Sequence, residues 1–392
     1  VFFIVYNSGG AIKMRAIKLM LAALLVITIT LPAAAASDKN FETEKKMGAE
    51  GAQAAAKELK FVTSPELTKR VEEIGKKLAE VAKTTEIPAT YGDSTIADFD
   101  YSFKIVDDKQ INAFSLPAGY IYINKGLIDA VQSDDELAGV LAHEIAHVTH
   151  HHLINLVQKQ SRLDGTVFLV MAAAIIGKVQ PQDMQNVFYG AQLLSIAKLN
   201  AYSRKAEEDA DATAIQIMTK AGYNPVGLLT FMERMAHEEA MDPRQDNLGI
   251  ASTHPPSRER AKSILSMLKN EGVPINRRAV SYGLLANVKE TDKTAELLIG
   301  DRVLLKMADA EGVASVERAK QAAELINQAM AGDPQPYEVK IIGSTLIIRQ
   351  KPVLEITAED AALAQSTTEI LAGRVKNSVQ AAIASERMSR VY

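Results

Sequence analysis

His143-Glu144-Ile145-Ala146-His147 places two imidazoles four residues apart, with a carboxylate directly after the first. On a helix, residues four apart lie on one face, so both rings can converge on a single metal ion. Glu144 then sits about 100° around from His143, beside the water such a metal would carry and not on the metal itself. There its carboxylate can take the water's proton and later hand it to a leaving amine. That combination is the chemistry of metal-assisted peptide-bond hydrolysis. The competing readings are an ordinary helical histidine pair and a purely structural metal site, in which Glu144 would have no purpose.

A catalytic zinc, one per chain, needs a third protein ligand and one open position. The longer pattern that supplies a third histidine from the same segment is excluded. Its glycine position is His150 here and its last histidine position is Leu153. His150 and His151 fall beyond the pair and read as solvated helix-end histidines favoured by the helix dipole, while His152 points away. The expected third ligand is therefore a carboxylate on another helix, and Tyr202 to Asp211 offers one. Glu207 and Asp211 are four apart and share a face, which suits a ligand plus a carboxylate that orients a ligand histidine. Glu208 and Asp209 point elsewhere and read as solvated. His254 stands before Pro255-Pro256, which stiffen its loop. It could stabilise an oxyanion, occupy the metal's open position and keep the site latent, or be a plain turn histidine.

These residues need elements to hold them. Ser133-Asp134-Asp135-Glu136 is a capping box that opens the long helix bearing the histidines. Ser64-Pro65 opens another, with Leu67, Val71, Ile74, Leu78 and Val81 at a helical period. Residues 41–60 have helical character, and 86–100 read as a loop. Tyr101 to Val106 and Gly119 to Asn124 alternate like strands. Helices are expected at 203–221, from 224 to about 240, and from Ser257. An uncharged run from Gly165 to Gly177 and an amphipathic stretch at 181–199 are too short to span a bilayer. They read as core helices or, functionally, as a lid or a peripheral membrane contact through 165–199. After about residue 275 the pattern becomes strand-rich, with strands at 301–306, 337–342, 344–349 and 352–356. Helices at about 314–331 and 366–386 complete a small module whose role is either packing or partner docking.

Composition sets the compartment and the available ligands. The 392 residues are 47% apolar and 23% charged, an ordinary globular balance, and no repeat is evident. There is no cysteine, so disulfides, thiolate metal sites and a lipid-modified cysteine are all excluded. Met14 to Lys18 is basic, Leu19 to Leu31 is apolar, and Pro32 to Ala36 is small. That order reads as a secretory signal peptide cleaved after Ala36, with residues 1–13 an upstream extension. Residues 1–36 hold three basic side chains and no acid, so the exported remainder carries 41 basic and 48 acidic residues, a net −7. An acidic surface argues against nucleic acid. The organisation expected is a leader over 1–36, a catalytic domain over 37–275 and an α+β accessory module over 276–392.

Several segments then align with one known pattern. They are Asn112-Ala113-Phe114 with Pro117 to Tyr122 and Gly126-Leu127, and Asp135-Glu136-Leu137 with Leu141 to Val148. Ser203-Arg204 to Glu207-x-x-Ala210-Asp211 and Thr253-His254-Pro255-Pro256 follow. Together they resemble the HtpX and CAAX-prenyl-protease family of zinc metallopeptidases, particularly its soluble periplasmic BepA-like branch. The resemblance implies an α+β fold, with a mostly helical zincin-type domain and a small sheet. It implies Glu207 as the third zinc ligand, with Asp211 and Arg204 supporting the ligands. It also implies that Asn112, Ala113 and Phe114 belong to an edge strand along which an extended peptide pairs, an exposed template in sheet terms. The substrates implied are unfolded or misassembled envelope proteins in the periplasm. The tetratricopeptide repeats common in periplasmic relatives are missing, since the C-terminal part is strand-rich and the chain has no Trp. The runner-up function is a latent, zinc-containing chaperone or adaptor in envelope quality control.

Overall fold

The computed structural model describes residues 33–163, 193–194, 197–198, 202–241, 254, 258–281, 285–291, 294–300, 302–388 and 390. The leader assigned to residues 1–36 therefore lies almost wholly outside the described residues, as does most of 165–199. No described helix is long and apolar enough to cross a membrane.

The chain opens with helix α1 (Ala33–Glu58) and helix α2 (Pro65–Thr84). The Ser64 hydroxyl accepts from Leu67 N, and Pro65 occupies the first turn of α2, where its missing N–H costs nothing. Val71, Ile74 and Leu78 form its buried face. Each such burial is worth about 1.5–3 kcal/mol. A three-stranded sheet follows, built from β1 (Ser102–Val106), β2 (Ala113–Leu116) and β3 (Tyr120–Asn124) in the order β1–β3–β2. β1 runs parallel to β3 and β2 antiparallel, with Phe114 opposite Tyr122. Both faces of this sheet are covered. Phe103, Ile105, Ala113, Ile121 and Ile123 join the main core, while Val106, Phe114, Leu116 and Tyr122 pack with Ala54 and Ala55 of α1 and with Leu193 and Leu194.

Helices α3 (Lys125–Ala130), α4 (Asp134–Thr149), α5 (His152–Leu163), α6 (Arg204–Lys220), α7 (Val226–Met241) and α8 (Arg258–Asn270) complete this half. α4 is buried along nearly its whole length between α2, α6 and α7. Ser133 caps it by accepting from Glu136 N at 3.2 Å. The reciprocal bond differs from a capping box, because the Glu136 carboxylate accepts from Gln132 N, and Arg234 of α7 grips the same carboxylate at 2.7 and 2.9 Å. A Cβ on Gly139 would lie 2.9 Å from the Leu228 Cα, so glycine is what lets α4 and α7 touch backbone to backbone.

The remainder has its own apolar core. A meander β4 (Ala286–Glu290), β5 (Ala295–Ile299), β6 (Arg302–Met307) precedes helix α9 (Ser315–Met330). A second meander β7 (Val339–Ile342), β8 (Thr345–Ile348), β9 (Lys351–Glu355) leads into α10 (Ala358–Leu363) and α11 (Thr368–Met388). The α+β reading holds; β4, β5 and α10 are additions to it. Charged contacts tie the two cores together. Arg277 makes two 2.7 Å bonds to Glu233 of α7, and Arg278 pairs with Glu386 of α11.

The helix break after α4 overturns the reading of His150 and His151 as solvated. His150 caps α4, His151 takes a left-handed φ of 55°, and α5 restarts at His152. All three rings are buried. His151 stacks on Phe41, and its Nδ1 lies 2.7 Å from Glu44 Oε2, pinning α1 to the end of α4. Burial alone would lower the His151 pKa, but the Glu44 carboxylate outweighs it and raises the value above 6.5. With the folded pKa above the unfolded one, this stabilisation is complete below 6.5 and fades as pH rises through the folded value. Helix α1 should thus exchange its amide hydrogens more slowly, after correction for intrinsic rates, at about pH 6 than at about pH 9. A Glu44→Gln variant should lose that difference; an unchanged profile would refute the assignment.

Candidate functional site

Four elements meet at one buried point. α4 contributes His143, Glu144 and His147, α6 contributes Glu207 and Asp211, α8 contributes Arg260, and His254 lies just ahead of α8. The helical period does what the spacing predicted and sets His143 and His147 side by side, Nε2 to Nε2 at 3.0 Å. Glu207 approaches both, 3.5 Å from each Nε2. His254 Nδ1 lies 3.0 Å from Glu207 Oε1 and 3.3 Å from His143 Nε2. Each of these four residues offers one donor atom, and the four atoms all lie within 4.8 Å of one another.

That set fits a zinc-sized ion. Bonds of 2.0–2.1 Å to one tetrahedral centre put neighbouring donors about 3.3 Å apart; His143 lies 3.0 Å from His147 and 3.3 Å from His254, and one or other Glu207 oxygen lies 3.0 to 3.5 Å from each histidine. Three imidazole nitrogens and a carboxylate oxygen suit a borderline-soft divalent cation. Glu144 stays out of the donor set. Its carboxylate is buried, Oε1 lies 3.3 Å from His254 Nε2, and Oε2 has no hydrogen-bond partner among the described residues.

The surrounding charges hold the ligands ready. Asp211 Oδ1 lies 3.0 Å from His143 Nδ1, orienting that ring with Nε2 inward. Burial pushes the His143 pKa down, yet Asp211 and Glu207 win and set it at about 9, so this ring must release a proton when it takes a metal. Burial dominates at His147, whose pKa falls well below 6.5 and which is neutral, as a ligand must be. Burial would raise Glu207, but the Arg260 guanidinium and the neighbouring histidines hold it well below the usual carboxylate range. Arg260 reaches Glu207 at 2.6 Å and both oxygens of Asp211 at 2.8 and 3.0 Å. Tyr202 lies flat on His147 with ring centroids 3.9 Å apart.

Some expected residues fall elsewhere. Arg204 is exposed on the first turn of α6, and Arg260 takes the supporting part expected of it. Ala113 and Phe114 lie on the edge strand β2, directly after Asn112, but all three are buried, not an open template. The outer face of β2 is roofed by α1 and by Leu193, Leu194 and Ala197. Asp209, read as solvated, is 1% exposed and receives Thr90 and Tyr91 N–H groups, while His152 turns back to meet His147 at 2.8 Å. Arg260 had a legible signal. It occupies the same face as Ala261, Ile264, Leu265 and Leu268, and a lone charge on an apolar helical stripe needs a buried partner.

Comparison with known proteins adds to this geometry. Residues 65–268 match the profile described as peptidase family M48, and residues 297–386 match a domain of unknown function, DUF8459. The beta-barrel assembly-enhancing protease of Escherichia coli strain K12 is 24% identical over 196 residues, covering 50% of this chain and 37% of that protein. The mitochondrial metalloendopeptidase OMA1 of Schizosaccharomyces pombe is 30% identical over 172 residues, 44% of this chain and 48% of that one. The metalloprotease LoiP of E. coli K12 is 28% identical over 173 residues, 44% of this chain and 64% of that one. The chain thus spans less than half the length of the beta-barrel assembly-enhancing protease it matches.

Proposed function

The chain belongs to peptidase family M48, and from that premise we propose that it is a zinc-dependent endopeptidase of the cell envelope, described here with its site closed. The observation that carries the reading is the convergence of His143, His147 and Glu207 on one point, with the uncoordinated Glu144 carboxylate beside it. Bound zinc would polarise the scissile carbonyl and acidify water at neutral pH. His143, His147 and Glu207 hold the ion, and Asp211 keeps the His143 ring in register. Glu144 takes the proton of the attacking water and returns it to the amine that leaves. His254 fills the fourth donor position in this closed state and moves aside for substrate.

The substrate we assign is an unfolded or misassembled polypeptide, laid as an extended strand beside Asn112 and beside Ala113 and Phe114 of β2. The sheet order leaves β2 at the edge, which supports this assignment once α1, Leu193, Leu194 and Ala197 shift. Export to the periplasm is supported by the leader pattern of residues 14–36, and an envelope setting by the printed name of the E. coli relative. A second reading, a latent zinc-containing chaperone or adaptor, is favoured by one feature, the buried His254 within the donor set.

Casein cleavage by the purified protein tests these readings, measured with and without a metal chelator and in His254→Ala. Removing a competing ligand should raise chelator-sensitive cleavage, by about tenfold for each 1.4 kcal/mol with which His254 held the site closed. A fall in rate would make His254 an oxyanion donor instead. Cleavage that survives chelation would sink the zinc mechanism. Stoichiometric zinc without cleavage by either protein would favour the chaperone.

A further inference from the structure

A second buried cluster, His150, His152 and Asp209, lies directly behind the ligand His147. Its donor atoms are close enough to suggest another metal site. The distances argue otherwise. His150 Nδ1 and Asp209 Oδ2 are 2.5 Å apart, in direct hydrogen-bond contact and well short of the about 3.3 Å between two ligands of one ion. The other donors are already engaged. His150 Nε2 faces the Ile87 carbonyl at 3.0 Å, and His152 Nε2 faces the Tyr91 carbonyl at 2.9 Å with Asp209 Oδ2 at 3.3 Å.

These contacts fix a direction for each proton. A carbonyl and a carboxylate have no hydrogen to give, so His152 Nε2 must donate. In the neutral ring His152 Nδ1 is then bare and accepts the N–H of His147 Nδ1 across 2.8 Å. That leaves His147 Nε2 bare and turned to the donor cluster, which is the tautomer and ring orientation a metal ligand needs. The chain of bonds ends on a rigid base. Asp209 Oδ1 accepts from Thr90 N, Thr90 Oγ1 and Tyr91 N, so the carboxylate also holds the loop that supplies the Tyr91 carbonyl. Gly92 closes that loop on the helix break. Its φ is +99°, and a Cβ there would lie 2.2 Å from the His150 carbonyl oxygen.

We propose that His152, anchored by Asp209 and the Tyr91 carbonyl, is the positioning residue that presents His147 Nε2 to the metal. His143 has Asp211 for this purpose; His147 has a histidine relay. The helix break at His150 and His151 exists to turn His152 back, since a continuous helix would carry it to another face. The inference rests on the zinc site proposed above and deepens it.

Zinc affinity tests it, measured by competition with a chromophoric chelator on the full chain, with circular dichroism confirming the fold. His152→Ala should bind zinc 10- to 100-fold more weakly, the usual cost of losing such an outer partner. His152→Asn should recover most of that loss, because its amide oxygen falls where Nδ1 was and can accept the same hydrogen. Should the alanine variant fail to fold, His152→Gln takes its place with the same expected loss, since it moves the acceptor one bond outward. Undiminished affinity in a folded His152→Ala would overturn the proposal, as would an asparagine variant no better than alanine. Two zinc ions bound per wild-type chain would restore the second-metal reading. Wild type that binds no zinc would sink the whole site, whereas wild type and variant binding equally would sink only the relay.

Discussion

Glu144→Gln should keep its zinc and lose casein cleavage by about 10²- to 10⁴-fold, the range over which a positioned general base acts. The substitution is nearly isosteric and removes only the ability to take a proton. Because Glu144 lies outside the four-residue donor set, metal content should stay at one ion per chain. Its environment supports the part given to it. The side chain is buried, one carboxylate oxygen approaches His254, and the other has no hydrogen-bond partner among the described residues. A buried carboxylate oxygen left open in this way is costly in a structure that satisfies most of its polar groups, and it marks a place where a substrate atom or water is meant to sit. The comparison must be made at equal zinc occupancy, on initial rates. Cleavage by Glu144→Gln at the wild-type rate would end the proposed mechanism, and loss of zinc together with activity would move Glu144 into the metal shell.

The residues whose roles depend on local periodicity were the legible ones. Four-residue spacing alone places His143 beside His147 and Glu207 beside Asp211, because a helix repeats these offsets wherever it packs. Ser64-Pro65 and Ser133 mark helix starts for equally local reasons. What a sequence pattern does not carry is where a helix stops within a polar run and which surface later covers it. His150, His151 and His152 have the composition of a solvated helix end, yet a left-handed residue at His151 folds all three inward. Asp209 looks like one acid among several on α6, and only the distant loop at Thr90 and Tyr91 gives it partners. The strand at Asn112 to Phe114 reads as an open edge until α1, some sixty residues earlier, packs across it. Arg204 lay within the right segment but is exposed at the start of α6, and Arg260, about fifty residues beyond it, reaches the carboxylates from α8.

Arg260→Met should destabilise the metal-free protein by about 3–5 kcal/mol, the cost of stranding buried charges by deleting their partner. The guanidinium is 6% exposed and touches Glu207 and both oxygens of Asp211, so its loss strips two buried carboxylates of the charge that bridges them. Methionine has similar length and fills the space, which confines the effect to charge. Lysine should not rescue it, because one ammonium cannot reproduce a fork that reaches three oxygens. Two further consequences separate this account from simple loss of packing. Zinc should restore part of the lost stability, since a divalent cation beside Glu207 replaces some of the missing charge, so the variant's chemical-denaturation midpoint should shift more on zinc addition than that of wild type. The acid response should also flatten. In wild type Glu207 and Asp211 have folded pKa values below their ordinary 4.5 and 3.8, so their contribution is present above those values and lost as pH falls through the depressed ones. Without Arg260 the depression shrinks, and acidification should cost the variant less than it costs wild type. If the metal-free variant unfolds at the wild-type midpoint and with the wild-type acid dependence, the guanidinium is not what keeps Glu207 ionised. The neighbouring histidines would then carry that part, and Arg260 would serve packing alone.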